Sequence, residues 1–300
     1  MRIARIEYGG RPVRAAVEGD RLVLLDDAAG TVVPLAGARL LAPTDPRVVL
    51  GMAHNTGAVD RLLPPQAFLK PSRTVIGPGE PIPLPDGIGH VDAEGELAVV
   101  IGTTARHLTA ATALDAVLGY TVANDVTARD LQRSDPLWTT AKGHDGFTPL
   151  GPWIETDLDA FDAQITVSRN SHPLRGASTR DLARDVVEVL VYVTSFLTLG
   201  PGDVVLAGAP GECARIHPGD DVEITVAGLG TLANPVVAAP VPGRVPQAHD
   251  RGLRAQPAAG CVVGAARVRP VRGPASALPD DRLNHEAHRS GLTGHSQEIR

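Results

Sequence analysis

Lysine is almost absent from this 300-residue chain. Of its 28 basic residues, 26 are Arg, and only Lys70 and Lys142 break the pattern. Arg keeps its charge in nearly any setting, whereas Lys is a compact point donor whose pKa falls on burial. Rarity alone leaves two readings of each Lys open, an ordinary surface charge or a chemical role. Cysteine is as scarce: Cys213 and Cys261 are too few and too far apart for a disulfide framework or a Cys-based zinc site. No apolar run approaches the ~18 residues of a membrane span. The Met1 to Glu7 start leads into no apolar segment of the kind that precedes signal-peptide cleavage, so a cytoplasmic protein is expected. Basic charge is in deficit, 28 Lys plus Arg against 34 Asp plus Glu, a net -6. That balance argues against a protein whose main task is gripping nucleic-acid phosphates. Hydrophobic residues, by contrast, make up 43% of the chain, enough for one large or two small domains with a buried core.

Charge is also uneven along the chain. Residues 241–300 hold nine Arg, no Lys and five acids, a net +4, so residues 1–240 carry 19 bases against 29 acids, or -10. The 241–300 stretch has no Phe, Trp or Tyr and mixes Pro, Gly, Ala, Arg and four His without apolar periodicity. Such a segment cannot bury enough apolar surface to offset its ordering entropy, and a disordered tail is expected there. Nine Arg scattered over 60 residues form no basic block, which weakens a nucleic-acid role for the tail.

Residues 1–44 alternate short apolar runs with turn signals: Arg2 to Tyr8, Gly9-Gly10, Val13 to Val17, Gly19-Asp20, then Leu22 to Leu25. This predicts a small antiparallel meander, an N-terminal β domain. Seven prolines between Pro64 and Pro85 restrict that stretch to extended loop or edge strand. Strands are predicted at Glu94 to Gly102, Tyr120 to Asn124, Val204 to Ala207 and Val222 to Val226, with a short helix over Ala110 to Leu118. One long helix is predicted over Thr179 to Leu197, capped by Ser178 and Asp181, with Leu182, Val186, Leu190, Val193 and Leu197 at helical spacing. The sum is a strand-rich α+β protein, with residues 45–240 as its main domain.

Glu94 and Glu96 stand two apart in a predicted strand, so their side chains leave one face while Leu97 and Val99 leave the other. Two carboxylates aimed together repel unless a cation lies between them. A hard divalent ion is a common solution, and Asp125, directly after a predicted strand, is the best candidate for a third oxygen ligand. Alone, such a pair is weak evidence, since many simply face solvent.

The surrounding motifs are more specific. FLKP at 68–71, EGELAVVIG at 94–102, GYTVANDVTARDLQ at 119–132, WTTAKGHDGFTPLGPW at 138–153, GDVVLAGAPG at 202–211 and GDDVEITVAGLGTLAN at 219–234 occur in that order. Together they resemble the fumarylacetoacetate hydrolase family over about residues 45–238, and residues 1–44 are similar to the N-terminal β domain of many members. The resemblance implies a mixed β-roll, a homodimer, and one Mg2+ or Mn2+ held by Glu94, Glu96 and Asp125. It implies that Lys142 polarises the substrate carbonyl or enolate and that Gln132 hydrogen-bonds substrate or water. It also implies that Lys70, Gly208 and Ala209 line the substrate site, with Arg129, Asp130 and Asp145 bracing it. Both Lys thus fall inside motifs.

Two departures stand out. The family's lid segment carries a His and a Glu that activate water; here those positions are Gly57 and Asp60, and a His stands instead at the family's Tyr position, His54. His54 is either a replacement base, oriented by Asp60, or a loop residue without a role. Ala209 stands where the family supplies a Thr hydroxyl. The expected activity is that of a metal-dependent enzyme acting on a small 2-oxo (di)carboxylate through a stabilised enolate, by C–C hydrolysis or enol–keto isomerisation. A β-keto acid decarboxylase and a non-catalytic metal- or ligand-binding member are the alternatives. Only hydrolysis needs an activated water, so loss of the lid His shifts weight away from it.

Overall fold

Turn chemistry decides the start of the chain. Gly9, Gly10 and Gly19 adopt φ of 60°, 75° and 63°, open to a residue without a Cβ. They join Arg2–Tyr8, Arg11–Glu18 and Arg21–Leu24 into the expected antiparallel meander. The computed structural model describes residues 1–239; the tail expected at 241–300 lies outside the described residues. The meander shares a sheet with the strands that follow, because Arg2–Tyr8 pairs with Thr148–Glu155. That 12-stranded sheet continues through Val117–Asn124, Gly95–Ile101, Val204–Leu206 and Val49–Ala53, and ends at Gln66–Lys70.

A six-stranded sheet is built on Gln164–Arg169, Asp221–Val226 and Gly230–Ala239, and ends at Ile82–Pro85. The proline-rich stretch therefore supplies the last strand of two sheets, positions where a missing N–H breaks no internal ladder. Val91–Ala93 forms a third, three-stranded sheet with Thr127–Ala128 and Ala214–Arg215. Parallel pairs, such as Val204–Leu206 with Val49–Ala53, mix with antiparallel ones. The result is strand-rich with few helices.

Strand alternation divides the core. Leu97, Val99 and Ile101 enter a large cluster with Ile165, Val167, Ile224, Val186, Leu190 and Val193. Ala98 and Val100, on the opposite face, enter a second cluster with Val49, Leu150, Val204 and Leu206. Among the described residues no helix is long and apolar enough to cross a membrane.

Two predicted helices are corrected. The Ala110 to Leu118 segment is a turn followed by a three-residue 3-10 helix, Leu114–Ala116, with a strand beginning at Val117. The hydroxyls of Thr109 and Thr112 bond locally there, Thr109 N–H donating to Thr112 Oγ1 at 3.0 Å. Such bonds compete with helix formation, which is marginal at that length. The long helix starts late, at Val186, and runs to Phe196. Ser178 and Asp181 do form a capping box, but on the single turn Thr179–Asp181, after which Leu182 is extended. The buried side chain of Asn55 then takes both backbone groups of Arg184, accepting from its N–H at 2.7 Å and donating to its carbonyl at 3.0 Å. A second capping box, Asp185 with Glu188, opens the helix proper. Asp185→Ala is expected to lower stability by about 1 kcal/mol; an unchanged urea midpoint would contradict this helix start.

Candidate active site

The two glutamates flank the start of the Gly95–Ile101 strand, and the fold closes over them through Gly95. A Cβ at Gly95 would lie 2.9 Å from both Ile224 Cγ2 and Val167 Cγ2, so glycine lets the six-stranded sheet pack there. The Glu94 backbone is locked beside Asp125: its N–H donates to Asn124 Oδ1 at 3.1 Å and its carbonyl accepts from Asp125 N–H at 2.9 Å. Glu96 is fixed from another direction, its Oε2 accepting from Gly208 N–H at 2.6 Å. Gly208 holds φ 112°, and a Cβ there would meet the Asn55 carbonyl oxygen at 2.2 Å. Glu94, Glu96 and Asp125 are all buried.

Three cations balance them. Lys142, at the end of the Thr139–Lys142 helix, donates to Glu94 Oε2 at 3.0 Å and to Asp125 Oδ2. Its Nζ lies 4.5 Å from the centroid of the Phe68 ring. Lys70 donates to Asp125 Oδ1 at 2.5 Å. Arg129 bridges outward, from Nη2 to Glu94 Oε1 at 2.6 Å and from Nε to Asp92 Oδ2 at 2.7 Å.

Electrostatics separates the acids. Burial opposes ionisation of Glu94, but Lys142, Arg129 and the Thr127 hydroxyl outweigh it and hold the carboxyl down at about 2. Burial and then the charges of Asp125 and Glu94 drive Glu96 well above the usual carboxylate range. Burial also presses on the Lys142 ammonium, yet Asp125 and Glu94 raise it and keep it charged. For Lys70, burial prevails over Asp125 and the pKa falls.

Glu94, Glu96, Asp125, Arg129 and Lys142 face a cavity of about 410 Å³. The structure brings His54, Asp60, Glu94, Glu96, Asp125, Gln132, Lys142 and Ala209 to that one wall. Two residues expected at the substrate stand behind this lining. Lys70 is fully buried beneath Asp125 and off the cavity wall, and Gly208 also stands behind the wall, where its N–H holds Glu96. Asp60 does not orient His54; its carboxylate accepts from Thr56 N–H at 2.9 Å and Thr56 Oγ1 at 2.8 Å. His54 is exposed, has a positive φ of 52°, and packs edge-on to Trp138 with centroids 5.9 Å apart. Arg129 braces the site as expected, but Asp145 is exposed and Asp130 braces the Gly89-His90 loop.

The sequence reading missed several groups. Thr127 Oγ1 lies 2.5 Å from Glu94 Oε2. The Cys213 thiol lies 3.6 Å from Glu94 Oε1, and burial together with Glu94 pushes it up to about 12, so it is no nucleophile at neutral pH. Phe68 and Trp138, with ring centroids 5.5 Å apart, form an aromatic wall. Thr127, Phe68 and Trp138 stand inside the quoted motifs and carried a signal that could have been followed; Cys213 lies outside them.

Among the described residues, no group of three His, Cys, Asp or Glu side chains is arranged to hold a metal ion as it stands. Glu94 and Asp125 are instead closed around the Lys142 ammonium. The chemistry of the acids still fits a hard cation: Glu94, Glu96 and Asp125 bring carboxyl oxygens to one wall, and no Lys or Arg among the described residues contacts Glu96. A divalent ion there would favour the ionised form of Glu96 and add positive charge for an anionic substrate.

Residues 47–237 match the family model described as fumarylacetoacetate (FAA) hydrolase C-terminal, and residues 1–43 match a model described as Rv2993c-like, N-terminal. The chain is 43% identical over 215 residues to Protein Rv2993c of Mycobacterium tuberculosis, covering 68% of this chain and 80% of that protein. The crystal structure of 5-carboxymethyl-2-hydroxymuconate delta-isomerase from Mycobacterium smegmatis superposes with a TM-score of 0.76 at 41% identity, covering 80% of this chain and 99% of the isomerase. Maleylpyruvate hydrolase from Sphingobium sp. SYK-6, solved with manganese(II) and pyruvate, superposes with a TM-score of 0.69 at 26% identity, over 79% of this chain and 99% of the hydrolase.

Removing Lys70 tests the charge balance. Lys70→Met leaves Asp125 buried without its second cation and is expected to cost about 3–5 kcal/mol; a denaturant midpoint within error of the parent would contradict it.

Proposed function

We propose that this chain, which belongs to the fumarylacetoacetate hydrolase family, is a divalent-metal-dependent enzyme that shifts a proton on a small 2-oxo acid, interconverting its enol and keto forms. One observation carries the reading: Glu94, Glu96 and Asp125 converge with Lys142 on one cavity, while among the described residues that wall carries no dyad of a His hydrogen-bonded to a carboxylate. The first half supports enolate chemistry. The second weighs against hydrolysis, which needs an activated water.

A Mg2+ or Mn2+ ion held by Glu94, Glu96 and Asp125 would supply Lewis-acid stabilisation of the negative charge that develops on the 2-oxo oxygen. The manganese and pyruvate bound by the Sphingobium hydrolase support that assignment. The Lys142 ammonium keeps its proton and is placed to donate a hydrogen bond to a developing enolate oxygen. Gln132 Oε1 is occupied by Arg129 Nη1 at 3.0 Å, which leaves the Gln132 NH2 free to donate to the substrate carboxylate. Arg129 is thereby a positioning residue. His54, the only imidazole on the wall among the described residues, accepts the migrating proton at the cavity mouth. Phe68, beneath Lys142, and Trp138, against His54, exclude water from the part of the wall they cover.

The test is a panel of oxaloacetate, acylpyruvates and hydroxydienoates with Mg2+ or Mn2+. Enol–keto interconversion is expected without C–C cleavage, and it should vanish on chelation and return with added metal. Full activity in EDTA would sink the metal-dependent reading. His54→Ala is expected to slow the proton shift by about 10²- to 10⁴-fold at unchanged metal affinity; an unchanged rate would remove His54 from the chemistry.

A further inference from the structure

Every permanent cation on the cavity wall is matched to a buried or part-buried carboxylate, with one exception. Lys142 is taken by Glu94 and Asp125, and Arg129 by Asp92 and Glu94. Lys70 lies behind the wall. The exception is Arg133, whose side chain is 70% exposed and whose partner Asp130 is 45% exposed.

Arg133 stands on the Arg129–Ser134 helix at the spacing that puts it on one face with Arg129 and Gln132. All three line the cavity. Arg133 is also aimed. Asp130 accepts from His90 N–H at 2.9 Å, and a Cβ at Gly89 would lie 2.2 Å from Asp130 Oδ2, so the carboxylate is pinned against the Gly89-His90 loop. The pinned carboxylate in turn accepts from Arg133 Nη2. Nε and Nη1 of Arg133 make no hydrogen bond among the described residues, and Nη2, which gives one hydrogen to Asp130, keeps a second, so one fork that includes Nη2 remains to meet a carboxylate.

We propose that Arg133 reads a second carboxylate at the far end of the substrate, selecting 2-oxo dicarboxylates over 2-oxo monocarboxylates. This rests on the 2-oxo acid reading above. In that arrangement the buried acid cluster and Lys142 receive the 2-oxo end, and Arg133, at the exposed rim, sets what the other end must carry. Asp130 is a positioning residue that acts through Arg133.

Calorimetry of the full chain with Mg2+, using pyruvate, oxaloacetate and 2-oxoglutarate as probes, tests it. The parent protein is expected to bind the better of the two dicarboxylates about tenfold more tightly than pyruvate. Arg133→Ala should remove that tenfold preference and leave pyruvate within twofold. Arg133→Lys, which keeps the charge and loses the fork, should recover part of it. The exposed position makes both substitutions compatible with folding, checked by an unchanged thermal midpoint. A preference that survives Arg133→Ala, or an equal loss for pyruvate and dicarboxylate, would overturn the proposal. Pyruvate binding with no preference in the parent would overturn it while leaving the site reading standing. Binding of none of the probes would overturn both.

Discussion

Repulsion among three buried carboxylates is the constraint around which this molecule is arranged. Glu94, Glu96 and Asp125 are each nearly sealed from solvent, and like charges a few ångströms apart in such a setting cost on the order of 4 kcal/mol per pair. Lys70, Lys142 and Arg129 offset that cost, and Glu96, whose oxygens no Lys or Arg contacts among the described residues, is the acid whose carboxyl resists ionisation. The chain's two lysines are therefore both drawn into one cluster. A slim stem with a terminal point charge fits between carboxylates where a planar guanidinium would not, and this explains why a chain that otherwise uses Arg has kept Lys at these two positions.

Close backbone approach makes the cluster possible. Glycine at 95 lets the second sheet cover the Glu94-Glu96 segment, and glycine at 208 brings a backbone N–H to Glu96 past the Asn55 carbonyl. Glycine at 51 does the same for the aromatic wall, since a Cβ there would fall 2.3 Å from Phe68 Cζ. Asn55 ties these parts together, holding the Ala207 carbonyl on one side and the Arg184 backbone on the other. Its second job, keeping Arg184 out of the helix, links the late start of the Val186–Phe196 helix to the site.

Much of this was legible before the structure. The meander, the edge placement of the proline-rich stretch and the strand through Leu97 follow from turn residues, missing N–H groups and alternation, all local properties. The acid pair and the lysine scarcity pointed to Glu94, Glu96, Asp125 and Lys142, which converge. Lys70 was found as well, but its place beneath Asp125 was not, because a motif carries no information on whether its side chain faces the cavity or the layer beneath it. The helix boundaries failed for a similar reason: a capping box at Ser178 is a local signal, and a distant Asn overrides it. Cys213 reaches Glu94 beside the pairing of Ala93 with Ala214, distant in sequence and encoded by no short-range pattern, whereas Phe68 stands within FLKP and pairs with nearby Gly51.

On the function proposed above, the three carboxylates form one divalent-cation site opening onto the cavity at Lys142. Anomalous diffraction from crystals grown with Mn2+ and pyruvate is the decisive measurement. A single manganese peak bonded to carboxylate oxygens of Glu94, Glu96 and Asp125 is expected, with the Lys142 ammonium displaced toward pyruvate. A peak on other residues, or none at saturating Mn2+, would contradict it.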